Sequence, residues 1–227
     1  MKFFILGAGY GTRLFPFSSV VPKVMLPVGE KPCIRWIVDA ILKQGFKDIF
    51  ICCLDKDFKL FKHEFRDAPS IQYITSIAPE GSAGQFEVAV PHLNEDFIVW
   101  YGDDLLALEL ADLIDFHEEN KSEATLVLSQ KVSSEFGVVH VNRSEITAFD
   151  EKPYVGKNVW TGVAMFNMEM KKYLGSHRDF ARDVFPEMLK DGRRLKGFLT
   201  DSQWFDVGNI ASYMKVNELA LKRELEL

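Results

Sequence analysis

Residues 2–16 read Lys2-Phe3-Phe4-Ile5-Leu6-Gly7-Ala8-Gly9-Tyr10-Gly11-Thr12-Arg13-Leu14-Phe15-Pro16, and the reading of this stretch decides the fold. Phe3 to Leu6 is a short apolar run of strand length, stopped by glycine. Glycines without a Cβ let backbone amides approach a phosphate closely, so the run reads as a strand feeding an anion-binding loop. The dinucleotide-binding spacing G-x-G-x-x-G fails, because Thr12 stands at the third glycine position, and such a loop must also open a helix. Pro16, Pro22, Pro27 and Pro32 follow and forbid a long helix. The Walker pattern fails too, since no Lys-Ser/Thr follows the glycines. What remains is a long irregular loop carrying Arg13 and Lys23, and loops of that length are usually binding loops.

Outward from this loop, strand-like and helix-like segments alternate. Apolar positions at Ile34, Ile37, Val38, Ile41 and Leu42 have helical spacing, with Gly45 beyond as a stop. Strands are expected at 48–54, 71–75, 97–101 and 124–129. Helices are expected around 58–65, 85–90 and 110–119. This βαβα rhythm predicts a parallel sheet with helices on both faces. After residue 130 the pattern changes. Segments 137–141, 146–150 and 159–166 are β-like with little helix between, which predicts an antiparallel or mixed extension of the sheet. Helical segments are expected at 168–174 and 182–189, and a last helix from about Ile210 to the end.

The 227 residues suffice for one large α/β domain. The formal charge of −6 gives no long-range attraction for nucleic acid or anionic lipid, so neither partner is expected and bound phosphates must be held by local cations. Cys33, Cys52 and Cys53 make neither a disulfide framework nor a metal spacing, and read as buried, reduced thiols suited to the cytoplasm. The apolar N-terminus ends at Gly7, too short for a signal-peptide core. No run approaches a membrane span. No linker or repeat divides the chain, and it closes with the last helix, so no appended module is expected. The five histidines are scattered without metal-ligand spacing.

Several segments together resemble a known family. Gly9-x-Gly11-Thr12-Arg13-Leu14-x-Pro16, Pro22-Lys23-x-Met25-Leu26-Pro27-Val28 and Lys31-Pro32 resemble the signature of the sugar-1-phosphate nucleotidyltransferases, which make dTDP-, UDP- and GDP-sugars. Further matches follow in order: Glu80-Gly81-Ser82-Ala83-Gly84, Gly102-Asp103, Phe136-Gly137-Val138-Val139, Glu151-Lys152-Pro153, Thr161-Gly162 and Trp204-Phe205-Asp206-Val207-Gly208.

The resemblance implies a Rossmann-like, doubly wound, mostly parallel mixed sheet flanked by helices. Residues 1–227 would form one nucleotidyltransferase domain, with a nucleotide-binding part at about 1–130 and a sugar-binding part at about 131–227. It implies an NTP and a sugar 1-phosphate as substrates, and Mg2+ as cofactor.

By resemblance, Arg13 and Lys23 clamp the triphosphate, and Asp103 acts with them at the reacting bond. Asp103 and Asp206 hold Mg2+, a hard cation that favours few carboxylates plus phosphates and water. Leu6, Ala8, Gly9, Gly11, Thr12, Ser76, Gly81 and Gly84 line the nucleotide site. Gly137, Glu151, Lys152, Thr161 and Gly162 line the sugar-phosphate site. Asp104 sits beside Asp103, but neighbours on an extended chain face opposite ways, so it is given a capping or supporting role.

Three departures from the family pattern are visible. Ser76 stands where relatives often carry Gln or Glu, Phe17-Ser18-Ser19 replaces a threonine, and Trp160 is bulky beside the sugar site. The base, the sugar and homo-oligomerisation stay open. So do two other readings: a phosphocholine-type cytidylyltransferase, and a non-catalytic subunit that binds nucleotide sugars.

Overall fold

The computed structural model describes residues 1–79, 81–132, 138–151, 153–154, 156–175 and 178–227. β1 (Lys2–Leu6) leads into the long loop, which contains only the two-residue strands β2 (Pro27–Val28) and β3 (Lys31–Pro32) and three short 3-10 turns. Then come α1 (Cys33–Lys43), β4 (Ile49–Leu54), α2 (Phe58–Glu64), β5 (Gln72–Ser76), β6 (Phe97–Tyr101), β7 (Asp104–Leu106), α3 (Leu110–Glu119) and β8 (Ala124–Ser129). The remainder adds β9 (Val138–Asn142), β10 (Glu145–Asp150), β11 (Val159–Phe166), α4 (Phe185–Lys190), β12 (Leu195–Thr200), β13 (Trp204–Asp206) and α5 (Ile210–Leu221).

Seven strands form one sheet in the order β12-β8-β11-β6-β1-β4-β5. All neighbours run parallel except β11, which is antiparallel to both β6 and β8. This is the doubly wound, mostly parallel mixed sheet expected from the sequence. From β1 the chain winds outward through β4 and β5, then returns to place β6 on the other side of β1. The strand order therefore reverses between β1 and β6, and open α/β sheets bind ligands at the carboxyl ends of the strands flanking such a switch point.

Both faces of the sheet are covered, which is why β1 and β4 are apolar at successive positions instead of alternating. Phe3 and Ile5 face a core shared with Ile34, Ile37 and Ile41 of α1, Phe61 of α2, Leu113 of α3 and Val216 of α5. Phe4 and Leu6 face a second core rich in phenylalanine, where Phe86 lies 5.2 Å from Phe4, 5.8 Å from Phe97 and 5.7 Å from Phe180 between ring centroids. Phe86 is fully buried. Its truncation to alanine leaves a cavity among rings that cannot all collapse, so Phe86→Ala is expected to lose about 3–5 kcal/mol of stability. A urea midpoint indistinguishable from the parent's would contradict that role. Cys52 and Cys53 are free and buried in β4, as expected, and burial raises both thiols, Cys53 to about 12.

Several elements differ from the sequence expectation. Residues 84–92 form no α-helix. Consecutive i→i+3 bonds (Phe86 N to Ala83 O, Ala89 N to Phe86 O, His92 N to Ala89 O) wind this stretch at three residues per turn. Its buried positions Ala83, Phe86 and Ala89 recur every three residues, so the tighter winding keeps them all on the core. Met168–Tyr173 is likewise 3-10 helical, and Phe180–Val184 is a wide π-helical turn running into α4. α5 stops at Leu221, and Arg223 beyond it takes a left-handed φ of 60°. β9 and β10 do not extend the sheet. They form a separate antiparallel ribbon, exposed along its whole length, while β11 alone enters the sheet at its middle. β12 was not foreseen.

β11 carries a bulge that matters for the site. Its pairing with β8 jumps from Trp160 opposite Leu128 to Ala164 opposite Leu126. The Thr161 hydroxyl donates to the Val127 carbonyl at 3.0 Å, and the Trp160 indole donates to the Val163 carbonyl at 2.8 Å, so the carbonyls freed by the bulge are satisfied. Gly162 sits at its crest with φ of 78°. Bulges of this kind re-aim a strand beside a functional cleft.

Candidate active site

The carboxyl ends of β1 and β6 meet at the switch point. The Gly102 amide donates to the Leu6 carbonyl at 3.0 Å, fastening the two strand ends together. A Cβ on Gly102 would stand 2.7 Å from that same carbonyl oxygen, so only glycine permits the approach. Gly7-Ala8-Gly9 leaves β1 here, and Asp103 leaves β6 immediately after Gly102.

Asp103 is held from two sides. Its backbone carbonyl accepts from the Val207 amide at 2.9 Å, and its carboxylate forms an ion pair with the Lys23 ammonium, both side chains being largely buried. β7 and β13 pair antiparallel, with Asp104 directly opposite Asp206. Asp103, in the turn before β7, thus pairs with Lys23, and Asp104 and Asp206 of the ribbon lie near enough to feel the same lysine. Burial, then the Asp103 charge, raises the Asp206 carboxyl above the usual range, while Lys23, Arg13 and the Gly208 amide pull it back. Asp104 is likewise raised, by burial first and then by Asp103 and Asp206. The Trp204 indole N–H opposes that rise.

This excess of buried negative charge suits a hard divalent cation, and oxygen donors of this kind are magnesium ligands. Among the described residues, no group of three or more His, Cys, Asp or Glu side chains is arranged to hold a metal ion. If Asp103 and Asp206 held Mg2+, they would supply two carboxylates and leave the remaining positions to phosphate oxygens and water, which is how Mg2+ is commonly bound.

The glycine-rich loop turns over this group. Thr12–Leu14 is a single 3-10 turn preceded by Gly11, and Ser18 Oγ donates to the Gly11 carbonyl at 2.8 Å. Gly9, Thr12 and Arg13 are exposed, while Leu6 and Ala8 are buried. Arg13 lies near enough to Asp206 to bias its ionisation.

A second loop faces the first. The amides of Ala83 and Gly84 both donate to the Arg178 carbonyl, at 3.0 and 3.2 Å. Ser82 Oγ donates to Asp179 at 2.9 Å and accepts from the Phe180 amide at 3.0 Å. Gln85 spans the two loops. Its Nε2 donates to the Gly81 carbonyl at 3.3 Å, and its Oε1 accepts from the Ala8 amide at 3.4 Å.

The structure thus brings Lys23, Asp103 and Asp206 together, with Asp104 beside them and Arg13 within electrostatic reach. Gly162 abuts the Asp104 carboxylate. Ser76 turns its hydroxyl to the Ala78 carbonyl at 3.2 Å. Thr161, expected along the sugar pocket, is fully buried with its hydroxyl on Val127, so its side chain shapes the bulge. Glu151 is exposed just past the β9–β10 ribbon, and among the described residues no hydrogen bond joins it to the carboxylate group. Gly137 and Lys152 lie outside the described residues, as do Glu80 and Phe136.

Sequence reasoning did not find Gln85, Arg178 or the bonding role of Trp204. Gln85 directly follows a quoted motif and carried a signal. Arg178 carried none, since its contacts with the 81–84 loop span nearly a hundred residues.

Comparison with known proteins extends this picture. The family described as nucleotidyl transferase matches residues 2–223. A UTP–glucose-1-phosphate uridylyltransferase of Synechocystis sp. is 27% identical over 252 residues, covering 100% of this chain and 65% of that protein. A mannose-1-phosphate guanyltransferase of Schizosaccharomyces pombe is 30% identical over 230 residues, covering 94% of this chain and 62% of that protein. The chain therefore spans a little under two thirds of the length of these relatives. Among solved structures, HddC of Yersinia pseudotuberculosis with GMP-PN matches with a TM-score of 0.77 at 22% identity, covering 96% of this chain and 98% of that one. A Bacillus anthracis chain bearing the name glucose-1-phosphate thymidylyltransferase, solved with sucrose, matches with 0.77 at 24% identity, covering 97% and 95%. At these identities the structural likeness establishes the fold.

Proposed function

This chain belongs to the nucleotidyl transferase family, and on that premise we propose that it is a Mg2+-dependent enzyme transferring a nucleoside monophosphate from an NTP to a sugar 1-phosphate, with release of pyrophosphate. The observation that carries the proposal is the Lys23–Asp103 pair with Asp206 beside it, at the carboxyl ends of strands flanking the switch point. The relatives named above act on glucose 1-phosphate or mannose 1-phosphate with UTP or a guanine nucleotide, by their names, which supports a hexose 1-phosphate as acceptor.

The chemistry needs no protein nucleophile. An oxygen of the sugar phosphate attacks the α-phosphorus, and the bond to the pyrophosphate oxygen breaks. Two polyanions must approach, so positioning and charge neutralisation dominate the barrier. The exposed amides of the Gly9–Thr12 turn receive phosphate oxygens, and the Arg13 fork and Lys23 ammonium draw charge from the departing pyrophosphate. Asp103 and Asp206 would hold the Mg2+, which when bound neutralises phosphate charge. As the triphosphate enters, Lys23 is positioned to leave Asp103 for a phosphate. Glu151, Lys152, Gly137 and the backbone of Thr161–Gly162 are assigned to the sugar phosphate by resemblance. Among the described residues no helix is long and apolar enough to cross a membrane. Together with three free buried thiols, this supports action in the reducing cytoplasm.

The test is pyrophosphate release with Mg2+, each NTP being paired with a panel of sugar 1-phosphates and phosphocholine. Release is expected with one strongly preferred pair, is abolished by EDTA and returns with Mg2+. Folded protein that binds nucleotide yet releases no pyrophosphate with any pair would overturn the reading in favour of a non-catalytic one.

A further inference from the structure

We propose that Asp104 is a positioning residue whose carboxylate, held by the Trp204 indole and seated against Gly162, sets the separation of the Asp103 and Asp206 carboxylates. The inference rests on the reading of Asp103 and Asp206 as the magnesium carboxylates.

The β7–β13 ribbon that carries Asp206 is only three residues long on each strand, too short to hold its shape alone. In its register Asp104 lies directly opposite Asp206, so the two side chains project from the same face. Two acids so placed oppose each other's ionisation, which a leucine at 104 would avoid. A carboxylate kept there at a cost must do something a leucine cannot.

Its contacts say what. Trp204 Nε1 donates to Asp104 Oδ1 at 2.9 Å, a diagonal bond across the ribbon two residues before Asp206. The Asp104 carbonyl accepts from the Trp100 indole of β6 at 2.7 Å, tying the same residue to the main sheet. Asp104 Oδ2 lies against the Gly162 backbone at the crest of the β11 bulge. Asp104 is 6% exposed. The backbone of Asp104 is thus tied to β6, while its carboxylate is bonded to β13 through Oδ1 and packs against β11 through Oδ2. Asp103 precedes it in the turn before β7, where the strand alternation does not apply, and Asp206 stands across the ribbon. In this proposal the Asp104 carboxylate orients the two ligands beside it and is not itself one. Partners of this kind typically govern metal affinity by about 10–100-fold.

The experiment titrates Mn2+ alone by electron paramagnetic resonance against the parent chain, Asp104→Asn, Asp104→Leu and Trp204→Phe, with unfolding midpoints measured alongside. Asparagine keeps an oxygen for Trp204 and should hold Mn2+ within about threefold of the parent. Leucine keeps the volume without the acceptor and should weaken Mn2+ by about tenfold or more. Trp204→Phe should reproduce the leucine loss, and combining it with Asp104→Leu should add little. If Asp104→Leu does not fold, Trp204→Phe against Asp104→Asn still decides. Asparagine as damaging as leucine would make Asp104 a direct ligand and overturn the proposal. So would parental Mn2+ affinity in both Asp104→Leu and Trp204→Phe, or a parent that binds no Mn2+. A parent that binds Mn2+ with this variant pattern, yet turns over no NTP and sugar 1-phosphate pair, upholds the positioning role and refutes the activity instead.

Discussion

Asp103→Asn is expected to lower Mg2+-dependent turnover by about 10²–10³-fold or more, the scale on which removal of one preorganised electrostatic group acts, while the protein stays folded. The substitution is nearly isosteric, so β6 and the Val207 contact to the Asp103 backbone carbonyl remain. It breaks the Lys23 ion pair, and loss of one partner from a largely buried pair ordinarily destabilises by a few kcal/mol. Here a second effect opposes the first. Asp103 raises the carboxyls of both Asp104 and Asp206, so three acids share one lysine, and removing one charge relieves that repulsion. Lys23 also retains the field of Asp206. The two effects offset, and the variant should unfold within about 1 kcal/mol of the parent. The sign for Asp206 follows: with a raising neighbour gone, its carboxyl titrates lower than in the parent, which carbon-detected NMR can follow. Parental turnover at saturating Mg2+ would remove Asp103 from the metal assignment. Lost turnover in a protein that has also lost its fold would leave the assignment without support.

Much of the scaffold was legible because its elements are strongly patterned. Phe97–Tyr101, Leu110–Glu119, Ala124–Ser129 and Val159–Phe166 stand where the apolar periodicity puts them. The failures have physical causes. The 84–92 stretch has helix-like composition, but its buried residues repeat at 3.0 instead of 3.6 residues, and a few residues cannot distinguish the two. β12 was missed because an edge strand need not be apolar on both faces, and Lys196 and Gly197 interrupt its run. The β9–β10 ribbon reads as two good strands, yet local pattern says nothing of which sheet a strand joins. In the candidate site, Arg13, Lys23, Asp103 and Asp206 could be singled out because each lies in a segment that resembles a family motif, and the fold brings Lys23, Asp103 and Asp206 together. A supporting role for Asp104 was also expected, but its contacts with Gly162 and Trp204 were not, since the three are separated by 58 and 42 residues and meet only through the bulge and the ribbon.

That hidden contact yields the second large effect: Gly162→Ala should destabilise the protein by about 2–5 kcal/mol and weaken the site with it. Two independent penalties add. The backbone at 162 has φ of 78°, where an L-residue with a Cβ costs about 1–2 kcal/mol. The new methyl would also overlap Asp104 Oδ2, and the Asp104 side chain has little freedom to retreat, since its other oxygen is bonded to Trp204. Either the bulge opens, losing the Thr161 bond to Val127, or Asp104 swings off the indole and leaves a buried donor unpaired, at about 1–3 kcal/mol. The second course displaces the neighbour of Asp103, so Mn2+ affinity should fall together with stability. The two penalties separate in a double-mutant cycle. With Asp104→Ala as background there is no carboxylate to strike, so Gly162→Ala should there cost mainly the backbone part, about 1–2 kcal/mol, with a close contact to Tyr101 Cβ at 3.1 Å common to both backgrounds. Urea unfolding of the four proteins measures this. An equal cost of Gly162→Ala in both backgrounds would mean that the two residues do not press on one another, and Gly162 would then be needed for its dihedral angle alone.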